Sequence, residues 1–485
     1  MKGKFVTNLV LIILLNLLIK PLWIFGIDRE VQILTGSTSF GMYAGLLSFS
    51  FLLNILLDLG ITNYNNRNIS QNHQLLRKYF ANIVVLKFLL AGLYAIVVFG
   101  VSTFMDLDGQ EKHILTFLVL NQFLTSFTLY LRSNIAGMQM HTVNSLVSIL
   151  DRALMILLCS VLLWGNLFDQ PFKIEWFVYA QTTAYVLTML ICFAIVLWKS
   201  RFPKLKFDRL FFLVVLKQSF PYALLVLLMS VYTRIDQVMI RNMFQPEEGQ
   251  ALVGIYYHGF RLFDAAYQFA LLFAVLLLPM FSKMISDRKY IHELTRLSSL
   301  LLFIPAMILA VASMFYRKEI MILMEYEEEI AASALIFSVL MFAFLGMAGT
   351  IIYGTLLTAN GNLRQLNITS AIAVVINIVL NLILIPKYLA LGAAFSALAT
   401  QVFVGVSQYV IVVGKFRFRP DPQLVFRLVV FIAGVFGLGW GSQHIDAGWG
   451  IRFFSMISAS VILAIALNLI NVKALVLMVL KKSEI

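Results

Sequence analysis

Residues 79–104 read YFANIVVLKFLLAGLYAIVVFGVSTF. The stretch carries one charge, Lys87, and no proline. About 20 mainly apolar residues, rising about 1.5 Å each as a helix, are enough to cross roughly 30 Å of hydrocarbon. A strand of a membrane barrel would instead show about ten residues of alternating polarity. Here the apolar side chains follow one another without alternation. Backbone groups in lipid must find their hydrogen bonds within the segment, so the stretch is an α-helix in a membrane.

On either side of it the same pattern returns along the whole chain. Spans are expected at 5–27, 40–62, 79–104, 113–137, 143–165, 174–198, 212–237, 251–282, 297–316, 330–358, 366–386, 389–414, 424–441 and 453–480. Composition agrees: 61% of the 485 residues are hydrophobic and 13% charged, against roughly 25% charged in a soluble domain. The first apolar run follows Met1–Lys4 but continues past the length of a signal-peptide core. No small-residue cleavage site follows it, so it reads as the first span. Cys159 and Cys192 fall inside spans and read as apolar filler. The fold class is therefore all-α integral membrane, with 14 transmembrane helices.

Lysine and arginine test the count. With both termini in the cytoplasm, inner segments together with the inner ends of the spans hold 24 of the 37 basic residues, outer loops hold eight, and five lie deeper inside spans. That loop-by-loop alternation is what the positive-inside rule requires. The net charge of +13 is spread over short loops and forms no basic domain, so nucleic acid is not an expected partner; membrane lipids are. The inner loop KSRFPKLKFDR, residues 199–209, carries Pro203 and divides six spans from eight. The expected organisation is an N-terminal bundle over 1–198, a basic linker over 199–210, a second six-helix bundle over 211–415 and two further helices over 416–485.

A weak repeat crosses that linker. Gly41-Met42-Tyr43 opens span 2 and Gly254-Ile255-Tyr256 opens span 8. The inner turn Ala136–Asn144 corresponds to Ala359–Asn367 in the same order. Parallel repeats of this kind build transporters with a substrate site between the halves.

Charged residues inside spans are expensive and are functional or paired. Lys20 stands two-thirds along span 1, before Pro21, with Arg29 beyond its end. Lys87 is expected to snorkel to the nearer surface. Asp58 follows Asn54 by four residues, on one face of a continuous helix. Asp151 and Arg152 lie mid-span on different sides of their helix. Arg234 and Asp236 are two apart and need partners on other helices. Arg261 and Asp264, at i and i+3, could neutralise each other or serve a cavity. Asn16, Ser48, Ser50 and Asn54 suggest a wet interior, and Tyr256, Tyr257, His258 and Tyr267 add aromatic surface that suits either a sugar or helix packing. The small residues Gly392–Ala397 are expected to let helix backbones approach closely. No Walker A sequence, HExxH or G-x-S-x-G is present, and no outer loop is large, which counts against an enzyme. No cofactor is indicated.

Several motifs then resemble the bacterial polysaccharide-biosynthesis flippases of the RfbX/Wzx type, within the multidrug/oligosaccharidyl-lipid/polysaccharide exporter superfamily. They are Ser39–Tyr43 opening span 2, Asp58–Thr62 ending it and the polar turn Asn63–Asn68. Arg234–Ile240 followed by Val253–Tyr256, and Asn377–Asn381 leading to Ile385-Pro386 and Leu391–Ala394, complete the set. The resemblance implies two six-helix lobes around a central cavity plus two C-terminal helices, in a bacterial inner membrane. It implies alternating-access transfer of a polyprenyl-diphosphate-linked oligosaccharide to the outer leaflet, coupled to membrane potential or an ion gradient, with polysaccharide polymerase machinery as a partner. Candidate substrate-binding residues are Lys20, Arg29, Asn54, Asp58, Arg152, Arg234, Asp236, Tyr256, Arg261 and Asp264. A cation-coupled multidrug exporter and a membrane-embedded glycan-modifying enzyme remain alternatives. Drug-exporting relatives place an acid within span 1, where this chain has none before Asp28.

Overall fold

The computed structural model describes residues 18–19, 21–62, 65, 69, 75–138, 140–165, 170–200, 209–288, 290–324, 330–418 and 421–469. All regular structure among them is helical. Eleven helices are long and apolar enough to cross a membrane, each overlapping one of the expected spans. Of the other three, span 1 lies mostly outside the described residues. Span 2 is broken, and span 8 falls within a much longer helix that carries several charges. Of the fourteen expected spans, eleven are helices of clear membrane character among the described residues.

The chain divides into two compact units, residues 1–254 and 255–485. The first contains α1 (Arg29–Leu52), α2 (Leu75–Ser102), α3 (Gly109–Gly137), α4 (His141–Trp164), α5 (Ile174–Ser200) and α6 (Arg209–Met243). The boundary falls within α7 (Pro246–Ser286), near its N-terminus. A π-helical turn, Leu22–Asp28, leads into α1. Gly36 at φ 74° interrupts α1; only glycine takes that conformation without strain. After Leu52 the chain tightens into a 3₁₀ turn over Asn54–Leu57. It then passes Leu59 and Gly60 at positive φ. The expectation of one continuous helix through 62 is corrected here. At about three residues per 3₁₀ turn, Asn54 and Asp58 no longer share a face.

The core of this unit packs α2, α3 and α5 together through Phe80, Ile83, Phe127, Tyr130, Ile135 and Val196. Helix α3 starts where Asp108 accepts from the Glu111 amide while the Glu111 side chain accepts from the Asp108 amide. This reciprocal capping satisfies two backbone donors that would otherwise be orphaned.

The second unit contains α8 (His292–Phe315), α9 (Arg317–Leu323), α10 (Ile330–Gly349), α11 (Thr355–Ala359), α12 (Leu363–Tyr388), α13 (Ala390–Phe416), α14 (Pro422–Ser442) and α15 (Trp449–Ala466). Helices α10, α12 and α13 form its tightest packing. A Cβ on Gly346 of α10 would lie 2.4 Å from the Gln401 backbone of α13, and one on Gly405 would lie 2.5 Å from the Gly346 carbonyl oxygen. A Cβ on Gly392 would lie 2.2 Å from the Leu384 carbonyl oxygen, so the small residues of span 12 do bring backbones together. The two C-terminal helices close over α8 through Ile304, Val311, Phe431, Val435 and Met456. Tyr316 hydroxyl meets Ser442 at 2.6 Å.

Candidate functional site

Polar residues inside the first unit form a connected seam along α3. At its N-terminal end, Glu111 makes a buried ion pair with Arg241 of α6. The same carboxylate oxygen accepts from Gln250 Nε2 at 2.9 Å. The side chains are 3% and 5% exposed, so each charge is answered by the other. Close approach makes room for this cluster. A Cβ on Gly41 would fall 1.9 Å from the Gln250 carbonyl oxygen, and one on Gly254 would fall 2.1 Å from the Ser37 carbonyl oxygen. The glycines of both G-x-Tyr motifs therefore sit at one crossing of α1 with α7.

Further along, Asn121 and Tyr43 both donate to Gln181 Oε1 at 3.4 Å. Ser48 donates to Gln237. Asn54 Nδ2 donates to Gln122 Oε1 at 2.8 Å, and Gln122 Nε2 donates to Ser50 at 3.2 Å. Tyr94 closes over the Ser50 carbonyl at 2.8 Å. These bonds answer the buried Ser48 and Ser50 hydroxyls of α1 and the Asn54 amide of the turn that follows it, while Asn121 Oδ1 and Gln237 Nε2 have no hydrogen-bond partner among the described residues.

The break after α1 is held by a second ion pair. Lys87 of α2 pairs with Asp58. It also donates to the Leu57 carbonyl at 3.0 Å and to Ser126 at 3.2 Å. Lys87 is 1% exposed. It does not snorkel, because the open turn presents a carboxylate and a free carbonyl within its reach. Asp58 also accepts from the Thr62 amide at 3.2 Å.

The remaining candidates are dispersed. Arg29 is half-buried beside Glu30, 3.7 Å away. Arg234 lies over the Phe51 ring at 5.0 Å, and Asp236 is buried. Arg152 is half-buried on α4. In the second unit Tyr256, Arg261 and Asp264 lie along α7. Arg261 is 3% exposed, with its guanidinium 5.4 Å from the Tyr257 ring centre. Three residues earlier, His258 meets Ser333 at 2.8 Å. Lys20, Asn16 and most of the linker 199–210 lie outside the described residues.

The pairs Glu111–Arg241 and Asp58–Lys87 were not expected from sequence. Asp108-Gly-Gln-Glu111 has the D-x-x-E spacing of a capping box and would have placed the helix start at Gly109. Arg241 stood among the loop cations, and nothing local marks its partner 130 positions away.

Residues 6–285 match the model of a family described as polysaccharide biosynthesis protein, which is more than half of the 485-residue chain. The chain belongs to this polysaccharide biosynthesis protein family. Its fold is similar to the lipid II flippase MurJ in an inward closed conformation. The TM-score is 0.68 at 14% identity, over 96% of this chain and 100% of that one. It is also similar to an inward-facing multidrug resistance MATE family transporter of the MOP superfamily (TM-score 0.57, 13% identity, 81% of this chain and 94% of that one). A MOP superfamily transporter from Pyrococcus furiosus gives 0.56 at 13% identity, over 85% and 95%. At these identities the likeness is one of fold. No curated protein matches the chain in sequence. Family, fold and apolar helices together make this a multi-pass membrane protein.

Proposed function

We propose that the protein flips a polyprenyl-diphosphate-linked oligosaccharide from the inner to the outer leaflet of a bacterial cytoplasmic membrane by alternating access, with both termini cytoplasmic. The observation that carries this reading is family membership across residues 6–285. The fold likeness to a lipid II flippase over 96% of the chain supports it.

The physical problem is clear. Sugar hydroxyls taken into hydrocarbon lose hydrogen bonds at about 2–7 kcal/mol each. A protein interior rich in amide and hydroxyl groups replaces those bonds, and the polyprenyl tail remains in lipid. The diphosphate needs cations, which guanidinium can meet bidentately. Arg261 is the first choice: it is nearly enclosed, with its guanidinium over the Tyr257 ring. Lys20, Arg29, Arg152 and Arg234 are further candidates. An inside-negative potential acts on cationic groups at about 2.3 kcal/mol per charge per 100 mV. It would drive return of the unloaded carrier. Polysaccharide polymerase machinery would receive the product.

The likeness to MATE transporters favours a second reading, a cation-coupled exporter of amphipathic drugs. Reconstitution separates the two. Vesicles carry a polyprenyl-diphosphate oligosaccharide on the leaflet opposite an impermeant lectin. The flippase reading expects time-dependent lectin access to unmodified glycolipid, slowed at least about tenfold in Arg261→Ala, as for a lost charge-assisted hydrogen bond. Movement of a cationic dye with no glycolipid movement would replace it by the exporter. Chemical conversion of the glycan would replace it by an enzyme.

A further inference from the structure

Between the end of α4 and the start of α5 the first unit leaves a slot. Leu158, Val161 and Leu162 line it from α4, and Trp176, Tyr179 and Thr183 from α5. Its volume is about 420 Å³. Val161 and Tyr179 are exposed along it, on helices apolar enough to cross a membrane, so the slot opens on lipid. From Ile174, where α5 begins, to Thr183 the helix rises about 14 Å. That is close to half of roughly 30 Å of hydrocarbon, so the slot runs through about one leaflet.

The walls select the occupant. The Thr183 hydroxyl donates to the Tyr179 carbonyl at 2.8 Å, and the Tyr179 hydroxyl meets His113 Nε2 of α3 at 2.7 Å. With these hydroxyls engaged, the slot gives a water its usual polar partners no better than it gives a sugar. Spread over about 14 Å of helix, the volume has a mean section of about 30 Å². A helix about 10 Å wide with its side chains needs about 80 Å². The slot thus admits one extended apolar chain and excludes a helix.

Lipid tails are as apolar as leucine, so hydrophobicity alone holds no chain there; fit and charge must do so. The mouth supplies the charge. Lys173 is exposed and directly precedes α5, and the exposed Lys112 directly precedes His113. They are two of the eight basic residues expected on the outer side, where the positive-inside rule leaves cations scarce. The acids beside them in sequence are engaged: Glu175 accepts from Gln110 at 2.7 Å, and Glu111 pairs with Arg241. Trp176 and Tyr179 stand in the first two turns of α5, the level at which amphipathic rings sit among headgroups.

We propose that the slot binds one acyl chain of an anionic phospholipid, whose headgroup phosphate is held at Lys173 and Lys112. The chain fills the gap between the ends of α4 and α5 and joins them where their own side chains leave space. Placement in the outer leaflet rests on the cytoplasmic termini proposed above; the binding itself does not.

The test uses the full-length protein, delipidated in detergent and titrated with phosphatidylglycerol or phosphatidylcholine of identical chains under native mass spectrometry. The expected result is one phosphatidylglycerol retained more tightly than any phosphatidylcholine. Lys173→Gln should weaken phosphatidylglycerol about fivefold, as for one lysine at a charged surface, and leave phosphatidylcholine unchanged. Thr183→Trp, which puts an indole into the slot, should abolish the tight adduct. Equal retention of the two lipids, or a Thr183→Trp variant that binds as wild type does, overturns the proposal. So does displacement of phosphatidylglycerol by an equal concentration of a polyprenyl phosphate, which would make the slot a seat for an isoprenoid tail. If Thr183→Trp does not fold, phosphatidylglycerol with brominated chains is added to wild type and to Trp176→Phe. A quenched fluorescence component lost with Trp176 supports the site, and equal quenching in the two overturns it. Glycolipid movement enters no readout, so failure of the flippase reading and failure of this site are separate results.

Discussion

The two units solve the same packing problem with different chemistry. In the first, buried charge does the joining: Glu111 with Arg241 across α3 and α6, and Asp58 with Lys87 across a broken α1 and α2. In the second, the tightest crossings are made by glycine. Gly346 and Gly405 bring α10 against α13 at backbone contact, and Gly392 lets α13 turn back on α12. Lipid supplies no hydrophobic force between helices, so association rests on close contact and on polar bonds. The first unit uses both, since Gly41 and Gly254 also meet backbone there, while the tightest crossings of the second rest on close contact. The Asp58–Lys87 pair sits at a break in the helix and the Glu111–Arg241 pair where one helix starts and another ends, so both lie where backbone groups or carboxylates need answering. The Gly346–Gly405 joint sits within two helices, beside the buried Gln401.

Removing one charge should therefore be the most damaging single change. Lys87→Ala leaves the half-buried Asp58 carboxylate at the open turn without its cation and should cost about 3 kcal/mol, the low end for a broken buried pair, read as the shift in an SDS-titrated unfolding curve. The double variant Asp58→Leu with Lys87→Met removes both charges and should recover most of that loss. If the double variant is as unstable as the single, the pair contributes more than mutual neutralisation and the contrast between the units grows. Equal stability of Lys87→Ala and wild type would erase it.

Size should matter most in the second unit. Gly346→Ala places a Cβ against the Gln401 backbone, which cannot rotate away, and overpacking of this kind costs about 1–3 kcal/mol. Gly414→Ala is the control on α13, since a Cβ there meets nothing within 4 Å. It should be neutral or stabilising by up to about 1 kcal/mol. Opposite signs from two glycine-to-alanine changes would separate backbone contact from helix propensity. In the first unit the lesser effect is the cap: Asp108→Ala should cost about 1 kcal/mol and loosen the Glu111 end of α3 in hydrogen exchange.

How much of this was legible depended on whether the cause was local. Runs such as 79–104 name their helix because burial in lipid needs only the segment itself. The broken end of α1 was not legible. Residues 40–62 are apolar enough for one helix, and the Lys87 ammonium that meets the break lies 29 positions from Asp58. The same lysine looked like a snorkelling residue because its partner lay on another span. Gly41 and Gly254 stood out as a repeated motif, but their purpose appears only where α1 and α7 cross. Asp151 was marked as a charge out of place. That it faces a cavity with Thr125, Thr128 and Thr188 follows from the packing of α3, α4 and α5, which periodicity in one helix does not encode.

The smallest effect falls where the second unit uses charge at its surface. Arg296 of α8 pairs with Asp421 at 3.1 Å, with side chains 39% and 35% exposed. Such a pair is worth about 0–1 kcal/mol and fades with salt. Asp421 also caps a helix, because its Oδ1 accepts from the amides of Gln423 and Leu424 at the start of α14. Capping is worth about 1 kcal/mol and depends on hydrogen-bond geometry more than on charge. Arg296→Ala should thus cost less than Asp421→Ala at low salt, and only the arginine's effect should vanish in high salt. Asp421→Asn should retain most of the cap while losing the pair. If Arg296→Ala instead proved as damaging as Lys87→Ala, exposed and buried pairs would be equivalent, and burial could not be what makes the first unit's ion pairs structural.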